Sequence, residues 1–248
     1  MDAAAQEQGA GSALGSTGAR SRPRRKGPGV SRELIIETTL RFVEGGDEDA
    51  LTMRALGSEL GVSAMALYRY FDSKEQILDE VVDALLARVA PPSADPAAWE
   101  AWIEESALDL RGVLVRYPAA LATFTSHPVT TPAALARIES ALGVLRSAGF
   151  EGSDAAQAFA AVHTYTIGFA ALEVSRSRTL VPGGGEAQVS RYWHLYFGTL
   201  PADRFPNLVE LAVDLAEFTS EGQFTVGLRR LLSGLRVQLD SRGESPLT

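Results

Sequence analysis

The sequence predicts an all-α protein. Apolar residues recur at three- and four-residue spacing along most of the chain, which is the period of a helix with one buried face. Glycine and proline separate these stretches, and no alternation of apolar and polar residues that would predict a β-strand persists. With 248 residues, of which 46% are hydrophobic, the chain can bury a substantial core in one or two domains.

Capping residues and helix breakers define the helices in order. Ser31, Thr52 and Ser73 are suitable N-caps, and Gly45-Gly46 and Gly61 are suitable stops. The N-terminal helices are therefore expected at about 31–44, 52–60, 63–71 and 74–89, before Pro91-Pro92. The domain boundary is expected at this proline pair or inside the fourth helix, which would then link the two domains. Further helices are expected at about 96–116, 118–126, 132–148, 154–177, 189–199, 206–218 and 222–240, with a mobile surface loop at 178–188.

The N-terminal segment has a different composition. Residues 1–30 are rich in Gly, Ala, Ser and Arg, and are expected to be disordered because they bury too little apolar surface. The net charge is −8, yet residues 20–32 contain six basic groups and no acidic one: Arg20, Arg22, Arg24, Arg25, Lys26 and Arg32. Such a segment is typical of an arm that binds phosphates or the minor groove, and a solubilising tail is the alternative.

Residues 51–71 have the pattern of a helix-turn-helix. Two short helices that cross closely need a small residue at the crossing and a tight turn, and Gly57 and Gly61 meet these needs. Their shared core would consist of Leu56, Leu60, Val62 and Leu67. An ordinary buried helical hairpin is the alternative that the spacing alone leaves open.

Helical geometry assigns the exposed residues of this motif. Met65 and Arg69 point away from Leu67 and are best placed to enter a major groove. Tyr68 projects sideways, towards a backbone phosphate. Thr52, Arg54 and Lys74 lie at helix starts, where phosphates bind. The candidate DNA-binding residues are therefore Thr52, Arg54, Ser63, Ala64, Met65, Tyr68, Arg69, Tyr70 and Lys74.

Residues 31–90 closely resemble the DNA-binding domain of the tetracycline-repressor (TetR) family. The resemblance is carried by Leu51-Thr52, Gly61-Val62-Ser63, Leu67–Phe71 and Ser73-Lys74-Glu75. In that family the third helix reads the major groove, and the tyrosine and lysine that match Tyr68 and Lys74 contact phosphates. The resemblance implies a transcriptional repressor that a small-molecule inducer releases from a palindromic operator. A helical ligand-binding or scaffold protein without DNA regulation is the alternative.

The C-terminal region resembles, more narrowly, the tetracycline-repressor type of helical domain, in which helices dimerise and enclose an inducer pocket. Helices 154–177 and 222–240 are the candidate dimer helices, and intramolecular core is the alternative. The first is rich in small residues: Ala160, Ala161, Gly168, Ala170 and Ala171. The second carries larger apolar residues: Phe224, Leu228, Leu231, Leu232 and Leu235.

Aromatic and histidine side chains are candidates for a pocket that binds an apolar small molecule. From a set that also contains Trp99, His194 and Phe197, we select Trp102, Phe124, His127, His163, Tyr165, Phe169 and Trp193. The element His127-x-x-Thr130-x-Pro132 resembles one in tetracycline repressors whose histidine helps to bind a metal–drug complex. Glu173 falls near the position at which that family has the acidic partner of this histidine. The residues around His127 differ, so we assign no metal there.

Other function classes lack their motifs. The three histidines have no metal-ligand spacing, and the chain contains neither a Gly-x-Ser-x-Gly motif nor a phosphate loop nor a cysteine. We therefore expect no enzyme activity and no cofactor. No apolar run is long enough for a bilayer, and the first thirty residues do not resemble a secretory signal, so we expect a cytoplasmic protein with no membrane partner.

The predicted fold class is all-α with two domains. An N-terminal three-helix helix-turn-helix DNA-binding domain, here called the head, covers residues 31–90. A C-terminal helical ligand-binding and dimerisation domain, here called the body, covers residues 91–240. Disordered tails are expected at 1–30 and 241–248. The expected partners are double-stranded operator DNA, a small-molecule inducer and a second copy of the chain.

Overall fold

The computed structural model describes residues 30–44, 50–89, 98–180 and 185–243, and within these ranges the chain forms helices and turns but no strand. The all-α prediction is confirmed. The described helices are α1 (Arg32–Glu44), α2 (Met53–Glu59), α3 (Ala64–Leu67), α4 (Lys74–Ala87), α5 (Trp99–Arg116), α6 (Pro118–Ser126), α7 (Pro132–Ser147), α8 (Ser153–Leu180), α9 (Glu186–Gly198), α10 (Pro206–Glu210), α11 (Ala212–Ala216) and α12 (Glu221–Gly243). None of them combines the length and the apolar character needed to cross a bilayer.

Some predictions concern residues outside the described ranges. These are the predicted N-terminal tail through residue 29 with the basic residues 20–26, the Gly45-Gly46 stop, the Pro91-Pro92 boundary and residues 244–248. The placement of the domain boundary therefore stays a prediction.

Several helix boundaries differ from the prediction. The third helix, predicted at 63–71, is the four-residue α3, and turns follow it to Tyr70. α8 continues to Leu180 and α9 begins at Glu186, so the surface loop predicted at 178–188 is wrong at both ends. Residues 177–180 contain no glycine or proline, and the helix continues until it nears Pro182. The predicted helix at 206–218 is instead two short helices that meet at Leu211, and α12 extends to Gly243, beyond the predicted end of the body.

The helix-turn-helix forms as the glycines predict. Gly61 has a φ of +67°, in the left-handed region that glycine adopts without strain. Gly57 is buried at the crossing of α2 and α3, where an added Cβ would lie 2.9 Å from the Val62 carbonyl oxygen. The end of the third helix is tighter than predicted, because the Tyr70 amide donates to the Leu67 carbonyl at 2.9 Å, a 3₁₀-type bond.

Replacing Gly57 with alanine is expected to destabilise the head by about 1–3 kcal/mol, because the new methyl group meets backbone that can only move by shifting the turn. Urea unfolding of the full chain measures this loss. Gly143→Ala is the matched control, since Gly143 is helical and a Cβ there meets nothing within 4 Å. Equal midpoints for Gly57→Ala and the wild type would contradict the crossing geometry.

Helix α4 belongs to the cores of both head and body. Its Ile77 is 1% exposed, alongside the head residues Leu67 and Phe71. Further along, Val81, Leu85 and other apolar residues share one cluster with Leu40 and Val43 of α1 and with Leu110 and Leu114 of α5. A rigid shift of α4 would therefore disturb head and body together.

A second cluster lies in the body, where α5, α7, α8 and α12 pack together. It contains Trp99, Trp102, Leu145 and Phe150. It also buries Phe224, Leu228 and Leu232 of α12 within one chain, at 0%, 0% and 3% exposure, and Ala170 of α8 is likewise fully buried. These predicted interface residues are therefore unavailable to a partner subunit.

Candidate DNA-binding surface and ligand cavity

The third helix separates an exposed face from a buried one, as helical geometry predicts. Met65 is 76% exposed and Tyr68 is 47% exposed, and Ser63 and Arg69 are exposed beside them. Leu67 and Phe71 on the opposite side are at most 1% exposed. A large apolar side chain left in water beside a tyrosine and an arginine is a surface suited to contact with another molecule. That this molecule is DNA stays a prediction at the level of single residues.

The remaining candidate residues surround this face. Thr52 and Arg54 are exposed at the start of α2, where the Thr52 hydroxyl accepts a hydrogen bond from the Ala55 amide at 3.0 Å. Ala64, Tyr70 and Lys74 are half-buried.

Arg32 has a different role from the one its place in the basic segment suggests. Its Nη1 donates to the Tyr70 carbonyl at 2.8 Å, and its Nη2 lies 2.7 Å from Glu80 Oε1. The guanidinium also lies 4.1 Å from the centre of the Phe71 ring. Arg32 thus ties α1 to the end of the third helix and to α4, so it is not part of a free DNA-binding arm.

The body holds α4 through polar contacts as well as apolar ones. Nε2 of His127, at the end of α6, lies 2.9 Å from Oδ1 of Asp79. Asp83 accepts a hydrogen bond at 2.6 Å from the Ala133 amide, in the first turn of α7. Each of these bonds joins α4 to a different helix end of the body.

A cavity of about 150 Å³ lies in the body beside α4. Leu86 of α4 forms part of its wall, together with residues of α5, α6, α7 and α8. Most lining residues are apolar, and the polar ones are Ser106, Arg137, His163 and Thr166. Of the predicted ligand residues, Phe124 and His163 line this cavity.

His163 lies among aromatic rings. Its imidazole stacks on Phe159 with ring centres 5.1 Å apart and an angle of 21°, and it lies 6.3 Å from the tilted ring of Phe124. Burial lowers the pKa of His163 below its usual value of 6.5. The imidazole is therefore neutral at neutral pH and has one nitrogen that donates and one that accepts a hydrogen bond.

This shift predicts a pH dependence of stability. Because the pKa of His163 is lower in the folded chain than in the unfolded one, the unfolded chain takes up its proton first, and stability falls as the pH drops below about 6.5. We expect His163→Gln to make the melting temperature less dependent on pH between about pH 8 and pH 5. His194→Gln, on an exposed residue of α9, is the control. An unchanged pH profile in His163→Gln would contradict the assignment.

The other predicted ligand residues lie outside the cavity lining. Trp102 packs in the second cluster of the body. Tyr165 and Phe169 pack on Phe224 at 5.3 and 5.2 Å between ring centres, and the Tyr165 hydroxyl donates to the Phe224 carbonyl at 3.0 Å. Trp193 belongs to an aromatic group on α9 and lies under the guanidinium of Arg176. Their role in ligand binding stays a prediction.

His127 and Glu173 have partners of their own. His127 contacts Asp79 and Ser126. Glu173 accepts two hydrogen bonds from Arg111, at 2.8 and 2.9 Å, and Arg111 donates a third to Glu221 at 3.0 Å. The pKa of Glu173 is raised above its usual value, chiefly by burial, although Arg111 acts to lower it. Within the described ranges no group of three or more His, Cys, Asp or Glu side chains could hold a metal ion.

Sequence reasoning missed the most polar feature of the cavity. Arg137 and Ser106 line it, and the search for aromatic and histidine residues passed over both. A basic residue among the apolar positions of α7, in Ala134-Leu-Ala-Arg137-Ile138, was the available signal.

Comparisons with known proteins agree with this geometry. Residues 35–81 match the family model described as bacterial regulatory proteins, tetR family, and residues 91–239 match the tetracyclin repressor-like C-terminal domain. The chain is 27% identical over 228 residues to the HTH-type transcriptional repressor DrrR1 of Streptomyces coeruleorubidus, and the match covers 88% of this chain and 82% of DrrR1. It is 28% identical over 211 residues to the class C tetracycline repressor of Escherichia coli, and this match covers 83% of the present chain and 90% of that repressor.

Solved structures show the same fold. The TetR family protein ActR of Streptomyces coelicolor in complex with actinorhodin superposes with a TM-score of 0.74 and 26% identity, covering 86% of this chain and 99% of that one. ActR in complex with (S)-DNPA superposes with a TM-score of 0.72, also at 26% identity, and the match covers 86% of the present chain and all of the ActR chain.

Proposed function

Because this chain belongs to the tetracycline-repressor (TetR) family of bacterial regulators, we propose that it is a repressor that a small molecule releases from a palindromic operator. The observation that carries the proposal is the position of α4. This helix packs in the head through Ile77 and forms part of the cavity wall through Leu86. A molecule in the cavity therefore touches the helix on which the head is built.

The exposed face of the third helix supports the DNA-binding half of the proposal. Arg69 is suited to a bidentate contact with guanine, and the Met65 side chain to a thymine methyl group. Tyr68 at the edge of the face, with Thr52 and Lys74 at helix starts, is suited to phosphates.

The size of the cavity supports the release half. Pockets for drug-sized ligands usually enclose about 300–1,000 Å³, and the cavity here has about 150 Å³. A ligand of that size exceeds this volume, so we expect its binding to displace lining residues, which include Leu86 of α4. Such a ligand favours the state with the larger cavity, and its difference in affinity for the two states sets how far it shifts DNA binding.

A second copy of the chain is the partner that a palindromic site requires. On α8, exposed residues of mostly small size recur every four positions: Ala156, Ala160, Thr164, Gly168 and Leu172. On α12, the exposed residues include Val226, Arg230, Ser233 and Val237. Leu172, Val226 and Val237 are 49%, 42% and 67% exposed in the single chain. Close approach of two such ridges across a two-fold axis would bury them.

Replacing Gly168 with tyrosine is expected to convert the dimer to a monomer. An added Cβ at Gly168 meets nothing within 4 Å in its own chain, and the residue is exposed, so we expect the fold to tolerate a side chain that a closely packed partner would not. Analytical ultracentrifugation measures the change. Gly143→Tyr is the matched control, because Gly143 is an equally open helical glycine on α7. A dimer that persists in Gly168→Tyr would place the interface elsewhere.

Selection of binding sites from random duplex DNA tests the proposed function directly. We expect a palindrome whose half-site centres lie about one helical turn apart, and an affinity that falls steeply with salt. A ligand-binding or scaffold protein would select no sequence and would show a flat salt response. A protein that binds the palindrome but that no compound ever releases would retain the DNA-binding half of the proposal and lose the release half.

A further inference from the structure

Arg137 places a permanent positive charge in the wall of an otherwise largely apolar cavity. It lies on α7 and lines the cavity with Ile103, Leu145 and Ile167 around it. Its hydrogen bonds within the described residues go to neutral oxygen atoms: Nη1 donates to the Val89 carbonyl and Nη2 to the carbonyl and hydroxyl of Ser106, each at 3.2 Å. These distances are at the long end for an N–H···O bond.

Arg137 is half-buried, and the buried arginine of the body, Arg111, shows the carboxylate partners that Arg137 lacks among the described residues. Arg111 donates to two carboxylates, Glu173 and Glu221, at 2.8–3.0 Å. Among the described residues no carboxylate forms an ion pair with Arg137. Asp109 favours its charge electrostatically, but burial has the larger effect and lowers the pKa of the guanidinium. An arginine keeps its charge under such conditions, so the cost of burying it is not offset within the described chain.

We propose that the cavity binds an organic carboxylate with an apolar ring, and that Arg137 binds the carboxylate. This inference deepens the proposed function and rests on it, because it names the chemical class of the ligand for the same cavity. A carboxylate matches the planar guanidinium with two parallel charge-assisted hydrogen bonds, which are shorter and stronger than bonds to neutral oxygens.

The other residues that line the cavity suit the apolar ring of such a ligand. The stacked pair His163 and Phe159, with Phe124 beside it, is suited to an aromatic ring. The neutral imidazole of His163 is available for a single uncharged polar group, and the Thr166 hydroxyl, which donates to the Val162 carbonyl at 2.8 Å, can still accept a hydrogen bond. The cavity wall thus has one charged side chain, and most of its other residues are apolar.

The same guanidinium also bonds the end of the head's last helix. Val89 lies two residues beyond the end of α4, and its carbonyl accepts from Nη1 of Arg137. A carboxylate that turns the guanidinium towards the cavity competes with this bond. The ligand charge is thereby linked to the position of α4.

Calorimetric titration of the full-length protein with benzoate and with benzamide, at about pH 7.5 where the acid is ionised, tests the proposal. Benzoate is a suitable probe because an apolar cavity of about this size accepts benzene. We expect benzoate to bind on the order of tenfold more tightly than benzamide. The larger pair 2-naphthoate and 2-naphthamide repeats the comparison. Equal affinity of acid and amide in both pairs, including no binding of either, would overturn the proposal.

Variants then assign the preference to Arg137. In Arg137→Gln the preference for the acid is expected to disappear while amide binding is retained. Arg137→Lys keeps the charge but loses the planar fork, so it should keep part of the preference, and it serves as the test if the glutamine variant does not fold. Arg146→Gln, on an exposed arginine of the same helix, should leave the preference intact. A full preference in Arg137→Gln would overturn the assignment.

Failure of this inference and of the proposed function are distinguishable. A protein that selects a palindrome but binds acid and amide alike is a regulator whose ligand is not a carboxylate. A protein that prefers the acid through Arg137 but selects no DNA sequence retains the ligand class and loses the regulatory role.

Discussion

Replacing Arg111 with methionine is expected to lower the free energy of unfolding by about 3–5 kcal/mol, because it leaves the carboxylate of Glu173 buried without its partner. The side chains of Arg111 and Glu173 are only 6% and 14% exposed. Burial already raises the pKa of Glu173 with the arginine present, so the carboxylate is costly to bury even when paired. Urea unfolding followed by circular dichroism measures the loss.

A second substitution separates the lost ion pair from lost packing. In the double variant Arg111→Met/Glu173→Gln no buried charge is left unpaired, so we expect it to regain a large part of the stability. Arg229→Met is the control, because it breaks an ion pair with Glu104 in which the arginine is 67% exposed, and solvent screening makes such pairs contribute little to stability. If the double variant is as unstable as Arg111→Met, the loss comes from packing of the long side chain rather than from charge.

Replacing Arg69 with alanine is expected to weaken specific DNA binding by about 1–3 kcal/mol for each half-site, and so by about 2–6 kcal/mol for a dimer on a palindrome. The physical reason is the loss of a bidentate contact from the exposed face of the third helix. Selectivity should relax at one base pair of each half-site, which binding to a set of single-base operator variants detects.

Lys74→Ala distinguishes base reading from phosphate binding. A lysine that contacts a phosphate should weaken binding to all sequences alike and reduce the salt slope by about 1 for each half-site. Arg146→Ala, an exposed charge on α7 in the body, should change neither quantity. If Arg69→Ala and Lys74→Ala give the same salt slope and the same sequence profile, Arg69 is a second phosphate contact.

The helix-turn-helix could be predicted from sequence because its determinants are local. Thr52 and Ser73 cap helices by accepting bonds from amides three residues ahead, at 3.0 and 3.2 Å. Gly61 adopts its positive φ within one turn, and the positions of Met65 and Leu67 on opposite faces follow from the helical period. Short-range geometry of this kind is contained in a stretch of about twenty residues.

The ligand residues could be predicted only in part because the helical period shows which residues are apolar but not which helix they face. Phe124 and His163 line the cavity, whereas Tyr165, two residues after His163 on the same helix, turns to Phe224 instead. Positions two residues apart on a helix differ by about 200° in direction, so neighbouring aromatic residues of α8 face the cavity and the second cluster separately.

The sequence by itself determined the helices, the helix-turn-helix with its exposed recognition face, and the family. These depend on caps, breakers and spacings between near neighbours. Only the tertiary structure decided which residues of α4 pack in head and body, that Arg32 is tied to Tyr70 and Glu80, and that Arg111 pairs with carboxylates while Arg137 has no such partner among the described residues. The partners of Arg111 lie 62 and 110 residues away in sequence. Contacts over such separations arise from the packing of whole helices, which no local pattern specifies.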